Sequence, residues 1–185
     1  MGRGGGYTQV EAFGLSSPGS RQPKARKTVA NAPIIDISTV DLGVDASGAF
    51  PIDALLPQSG HMRMLDRVCW MSDDGHSAVG YKDVRPDEFW CAGHIPGRPL
   101  FPGVLMIEAG AQLCSYTHKR TRQPEGFLGF VRCDDVSFRG QVVPGDRFVV
   151  TVKEQSFNPR RFVSLAQGFV NNKMVFEGLI TGMVI

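Results

Sequence analysis

The sequence predicts an α+β domain in which an antiparallel sheet wraps around one buried helix, and three observations carry that expectation. Strand-like runs come first, then a single long apolar segment, then a long series of further strands. The segment from Gly103 to about Lys119 is apolar on nearly every side, through Val104, Leu105, Met106, Ile107, Ala109, Ala111, Leu113 and Cys114. A helix of that kind is expected to be buried all round. Its 185 residues, 42% hydrophobic and 21% charged, leave room for one domain and a modest extension.

Residues 1 to 30 set Arg3, Arg21, Lys24, Arg26 and Lys27 against Glu11 alone, among six glycines and two prolines. Such a stretch cannot build a core, so residues 1–45 are expected to form a disordered, basic tail containing Gly, Ser and Pro. An organelle transit peptide is the alternative, but Gly2, Gly4, Gly5, Gly6, Pro18 and Pro23 oppose the amphipathic helix such peptides form. Within residues 31 to 50 the apolar patch Pro33-Ile34-Ile35-Asp36-Ile37 is expected on the domain surface. The domain itself is expected over 52–185.

Arg67 to Met71 and Ser77 to Tyr81 read as strands joined by the turn Asp73-Asp74-Gly75. After the helix, strands are expected at Phe127 to Cys133, Val136 to Gln141, Arg147 to Glu154, Phe162 to Val170 and Lys173 to Ile185. The intervening Pro144-Gly145-Asp146, Asn158-Pro159-Arg160 and Asn171-Asn172 supply the residues that tight turns require.

Charge and cysteine usage remove several classes. Twenty basic and 18 acidic side chains leave a formal charge of +2, too little for a dedicated nucleic-acid binder. The longest apolar run, Gly103 to Ala111, is interrupted by Glu108 and is too short to cross a bilayer. Cys69, Cys91, Cys114 and Cys133 make no Cys-x-x-Cys pair, and no apolar signal core opens the chain, so structural thiols in a reduced compartment are expected. Cys91-x-x-His94 is a lone pair without a second pair at ligand spacing, so no metal is expected. Motifs of serine hydrolases, zinc proteases and P-loop enzymes are absent, and His61, His76 and His118 are expected on the surface.

Chemistry concentrates between Cys91 and Gln112. Glu108 lies inside the apolar helix, where a carboxylate needs a partner or acquires a raised pKa. The bland alternative is an exposed stripe shared with Gln112 and Ser115. Upstream, Gly93 to Gly103 packs three prolines and three glycines around His94. Histidine suits proton abstraction and return near neutral pH, although it could equally close a turn. Gly103 stands at the expected helix start, where free backbone N–H groups and the macrodipole could stabilise an oxyanion.

The run from Gly93 to Gln112, GHIPGRPLFPGVLMIEAGAQ, resembles the motif of the 3-hydroxyacyl-[acyl-carrier-protein] dehydratases, the FabZ/FabA group with the hot-dog fold. The likeness extends through Leu55-Leu56-Pro57, Met64 to Val68, Val136 to Arg139 and Val142 to Asp146, and covers roughly residues 52 to 185. It implies a catalytic histidine at His94, a carboxylate fourteen residues on at Glu108, and a carbonyl-binding amide at Gly103. Glu rather than Asp at 108 resembles the general dehydratase branch. Substrate contacts are implied for Ile95, Pro96, Gly97, Phe101, Pro102, Val104 and Gln112. Ile95 stands where the family usually has Phe, and Trp90-Cys91 replaces a common Phe-Phe.

The resemblance further implies trans-2-enoyl product formation in fatty-acid biosynthesis, without cofactor or metal, by a cytoplasmic homodimer that shares each site between protomers. Acyl carrier protein is the implied partner, and Arg98, Arg132, Arg139, Arg160 and Arg161 are candidates to meet its acidic surface. A hot-dog acyl-CoA thioesterase and a non-catalytic acyl-thioester binding module are the alternatives. The intact Gly-His-x-Pro-Gly loop opposes the first, and the presence of both dyad members opposes the second.

Overall fold

A computed structural model describes residues 32–185. Six antiparallel strands form one sheet in the order β1-β2-β4-β5-β6-β3. They are β1 (Arg67–Met71), β2 (Ser77–Asp83), β3 (Leu128–Phe138), β4 (Arg147–Asn158), β5 (Arg161–Val170) and β6 (Lys173–Val184). A four-residue helix α1 (Ile52–Leu55) precedes the sheet, and the long helix α2 (Gly103–Arg122) lies against β2, β4, β5 and β6. This is the α+β architecture that the sequence pattern predicts, an antiparallel sheet against one long helix, and it fits the hot-dog fold that the resemblance implies.

Strand alternation decides which residues meet α2. On β2, Ala78 joins the main core and a Cβ on Gly80 would lie 3.4 Å from Leu113, whereas Val79 and Tyr81 join a second cluster on the opposite face. Close approach of helix and sheet is made possible by Gly110: a Cβ there would sit 3.0 Å from Ile180 and 3.2 Å from Ala166. Helix α2 ends at Arg122, beyond the expected Lys119, with Gln123 in the left-handed conformation and Lys119, Arg120 and Arg122 in the last turn. Those cations complement the negative end of the helix macrodipole.

Four expectations change. Of the tail expected at 1–45, residues 1–31 lie outside the described residues, but 32–45 are placed on the sheet. Ile35, Ile37, Val40 and Leu42 pack against Cys69, Val79, Tyr81, Val149 and Phe169 on the face opposite α2. Buried Gln167 fixes this strap, accepting from the Ile34 N–H at 2.9 Å and donating to the Ala32 carbonyl at 3.0 Å. Second, the strands expected on either side of Asp134-Asp135 are one strand, β3. Its register slips between Asp134 and Ser137, and Asp135 takes a positive φ of 50°, so a bulge absorbs the two acids without ending the pairing.

Third, α2 is not buried all round. Met106 to His118 carries its buried residues, but Val104 at the first turn is 71% exposed because the helix start projects past the core. Fourth, His118 is fully buried, not superficial. Its Nδ1 lies 3.1 Å from Glu154, whose buried carboxylate also meets His76 at 2.9 Å and Arg122 at 2.8 Å. The Phe157 ring covers both His76 and Arg122. Burial opposes ionisation of Glu154, but the hydrogen bonds from His118 and His76 and the Arg122 charge outweigh it and hold the carboxyl below its ordinary 4.5.

Candidate active site

The His94 loop hangs between two buried aromatic side chains. Trp90 and Phe101 are 4% and 3% exposed, with ring centroids 5.5 Å apart, and Phe101 packs in turn on Phe148 at 5.6 Å. Between these anchors residues 92–99 are exposed. The Trp90 carbonyl accepts from the His94 N–H at 2.9 Å and the Gly93 N–H at 3.2 Å, closing a tight turn that holds His94 above the core. Gly97 has a φ of +76°, a conformation that glycine adopts without steric cost. Phe101 N–H then bonds the Val142 carbonyl at 2.8 Å, returning the chain to the domain before Pro102 opens α2.

Glu108 is half-buried on the second turn of α2. Its Oε1 accepts a hydrogen bond from Gln112 Nε2 at 2.8 Å, the i to i+4 neighbour on the same helix face. Gln112 is 1% exposed and fully committed. Its Nε2 also donates to the Met62 carbonyl at 2.7 Å, and its Oε1 accepts from the Met64 N–H at 2.9 Å. The carboxylate is therefore oriented by an amide that is itself bolted to the Met62–Met64 segment. Gln112, for which the resemblance implies a substrate contact, has its amide engaged within the chain by Glu108, Met62 and Met64.

Gly103 begins α2 after Pro102, which offers no side-chain cap, and the first N–H groups of a helix have no partner within it. A Cβ at Gly103 would lie 2.8 Å from the Phe138 ring of β3, so glycine is required for the ring to approach the helix start. Phe138, 51% exposed on the edge strand β3, is a site neighbour to which the sequence reading assigns no role, although it lies in the Val136 to Arg139 stretch that carries the resemblance. Of the other expected contacts, Ile95, Pro96, Gly97 and Val104 are exposed around the loop and helix start. Phe101 and Pro102 are buried, and Phe101 anchors the loop through its ring.

The five arginines do not gather into one patch on the chain. Arg98 lies on the exposed loop, and Arg139 follows Phe138 at the same end, paired with buried Glu177. Because Asp83 pairs with Arg147 while Ser77 pairs with Lys153, the β4–β5 turn carrying Arg160 and Arg161 lies at the opposite end of the sheet. Arg132 sits on β3 opposite Thr181, with its guanidinium bonded to Asp134 at 2.6 Å. Arg132 on a strand and Arg160 in a turn are as the sequence predicts, whereas Arg139 lies just past the end of β3 and Arg161 opens β5; their distances across the sheet depend on the strand order, which is not local in sequence.

All four cysteines are free, and burial pushes the Cys69 thiol up to about 11. Cys114 and Cys133 are raised by burial as well, which keeps them as inert thiols. Among the described residues no group of three or more His, Cys, Asp or Glu side chains is placed to hold a metal ion. No described helix is long and apolar enough to cross a membrane.

Comparison with known proteins connects this arrangement to a family. The model of the FabA-like domain matches residues 56–178. A 3-hydroxyacyl-[acyl-carrier-protein] dehydratase FabZ of Sinorhizobium fredii is 36% identical over 134 residues, covering 71% of this chain and 85% of the relative. Among solved structures, the dehydratase heterocomplex ApeI:P from Xenorhabdus doucetiae superposes with a TM-score of 0.62 at 16% identity, covering 73% of this chain and 91% of that one. AziG of S. sahachiroi gives 0.55 at 17% identity, covering 71% and 98%. The structural likenesses speak for the fold, while the sequence matches span both the His94 loop and the Glu108 helix: the chain belongs to the FabA-like family.

Proposed function

We propose that the protein removes water from 3-hydroxyacyl thioesters carried on acyl carrier protein, giving trans-2-enoyl thioesters in fatty-acid biosynthesis. The observation that carries this reading is the Gln112-oriented carboxylate of Glu108 beside a helix start at Gly103, in the same chain as a loop that presents His94. The similarity to a 3-hydroxyacyl-[acyl-carrier-protein] dehydratase supports the substrate class.

In this mechanism the thioester carbonyl accepts a hydrogen bond from the Gly103 N–H, which makes the α-proton more acidic. His94 takes that proton, the Cβ–O bond breaks as the Cα–Cβ double bond forms, and Glu108 gives a proton to the leaving hydroxyl, directly or through water. One water leaves. Transfer of the proton from His94 back to Glu108 through solvent resets the pair, and no redox partner enters the balance.

The working unit in this reading is a cytoplasmic homodimer, with His94 of one protomer facing Glu108 of the other. Its support is the apolar surface left on the edge strand β3 and near the site: Phe130, Val131 and Phe138 are 52%, 47% and 51% exposed, and Val104 is 71% exposed. Ile95, 38% exposed on the loop, and Val104 would then flank the acyl chain. Arg98 is the carrier contact favoured by its place beside the loop.

Incubating the purified protein with 3-hydroxyacyl-acyl carrier protein and resolving the products by mass spectrometry tests the reading. Loss of one water with the thioester intact is expected. Release of a free acid and the carrier thiol would instead assign a thioesterase, and tight binding without turnover an acyl-thioester binding module.

A further inference from the structure

Residues 92–99 of the His94 loop are exposed, and the hydrogen bond from the His94 N–H to the Trp90 carbonyl ties the imidazole's backbone to the buried segment just before the loop. We infer that Lys82 is a positioning residue for His94, acting through Glu88; the inference rests on the dehydratase reading above. Lys82 follows Ala78 and Gly80 on the α2 side of β2, at the end of the strand from which the loop departs. Its side chain is 3% exposed, and its Nζ lies 2.7 Å from Oε1 of Glu88, itself 9% exposed. A buried ammonium tolerates no other arrangement cheaply, because without the carboxylate its desolvation is uncompensated.

From Glu88 the constraint passes along the backbone in two steps. The Glu88 carbonyl accepts from the Cys91 N–H at 2.9 Å, and the Trp90 carbonyl accepts from the His94 N–H at 2.9 Å. A parallel strut starts at Arg85, whose guanidinium reaches Asp66 at 3.1 Å and stands 3.8 Å from the same Glu88 oxygen. Asp66 is in turn fixed by the Asp83 N–H at 2.7 Å. Arg85 is half-exposed, so its pairing is the weaker of the two. His61, Arg63 and Asp87 line the cleft beside these groups, and the His61 ring lies 5.7 Å from Phe89.

An apolar pair of similar volume would stabilise the fold as well as the ion pair or better. What it cannot supply is direction: an ammonium on a carboxylate confines Glu88 to one position, whereas two aliphatic side chains slide. The role of the pair is therefore separable from stability. It is a nearly buried ion pair joining β2 to the segment that leads into the His94 loop.

The test is the double variant Lys82→Met/Glu88→Leu, which removes both charges at once. It should fold with a Tm close to that of the native protein, while kcat for dehydration falls at least about tenfold and KM stays within about twofold. Amide hydrogen exchange should rise over residues 91–94 and stay unchanged in β2 and β4. Two single variants guard against a double variant that does not fold. Lys82→Arg, which keeps the charge, should retain most of kcat, and Glu88→Gln, which keeps the shape but leaves the ammonium unpaired and so lowers Tm, should lose about as much as the double variant when assayed below its unfolding transition. Native kcat in the double variant or in Glu88→Gln, or unchanged exchange over 91–94, overturns the inference. A native enzyme that dehydrates no 3-hydroxyacyl thioester overturns the functional reading, and the exchange arm still decides whether the pair holds the loop.

Discussion

Replacing Gln112 by Met separates the two jobs its amide performs. Methionine matches glutamine closely in length and volume and is a good helix former, so packing and helix propensity change little. Three hydrogen bonds go: those to Met64 N–H, the Met62 carbonyl and Glu108. The Met64 N–H is buried with its residue at 0% exposure and finds no water, which costs about 1–3 kcal/mol. The Met62 carbonyl belongs to a 46%-exposed residue and can be hydrated, so its loss adds little. The expected destabilisation is about 2 kcal/mol, which corresponds to a Tm drop of roughly 4–8 °C for a domain of this size. Glu108, released from the Gln112 amide, should sample several rotamers, and kcat should fall by about tenfold to a hundredfold with KM little changed. Calorimetry reads the first effect and initial rates at saturating substrate the second. A variant that loses the expected Tm but keeps native kcat would falsify the claim that Gln112 orients the carboxylate.

Three further outcomes are expected. His94→Ala and Glu108→Ala should each lower dehydration by at least about a hundredfold with circular dichroism and Tm unchanged, and near-native turnover in either folded variant rejects the dyad. Glu154 is held below its ordinary 4.5, so the stability it supplies is complete above that pH and is lost as pH falls through the folded value; Glu154→Gln should flatten the acid limb of a Tm-against-pH curve below 4.5 and cost about 3 kcal/mol or more at neutral pH, because it strips the charge partner from Arg122. Retention of the acid limb in that variant would place the titration elsewhere. Arg98→Glu should raise KM for the carrier-borne substrate and leave a short pantetheine thioester unaffected, with a smaller effect from Arg160→Glu/Arg161→Glu at the far end of the sheet; equal losses on both substrates would remove Arg98 from carrier docking.

The central features were readable in the sequence because they are local. Pro102 before an unbroken apolar run marks the start of α2, and the Gly- and Pro-dense stretch after Gly93 announces a shaped loop. The Asn171-Asn172 hairpin was equally legible, with both residues at positive φ as that turn demands. What escaped depends on partners distant in sequence. His118 read as polar and superficial since Glu154, thirty-six residues away, is brought to it only by the closure of β4 over the helix. Two successive aspartates read as a strand break, though a bulge costs β3 less than the loss of its ladder to β6. The strap over residues 32–45 was legible only as the apolar patch Pro33 to Ile37; what it docks on, the sheet face carrying Val79, Val149 and Phe169, is distant in sequence. Gln112 was found at the right spacing, but its turn toward Met62 and Met64 is a tertiary fact.

Subunit exchange between His94→Ala and Glu108→Ala enzymes tests the account most directly. If each site takes its histidine from one chain and its carboxylate from the other, a mixed dimer holds one intact site, and random exchange of equal amounts should restore about a quarter of native activity. Exchange demonstrated by mass spectrometry with no recovery of dehydration would contradict the account, placing both groups in the same chain.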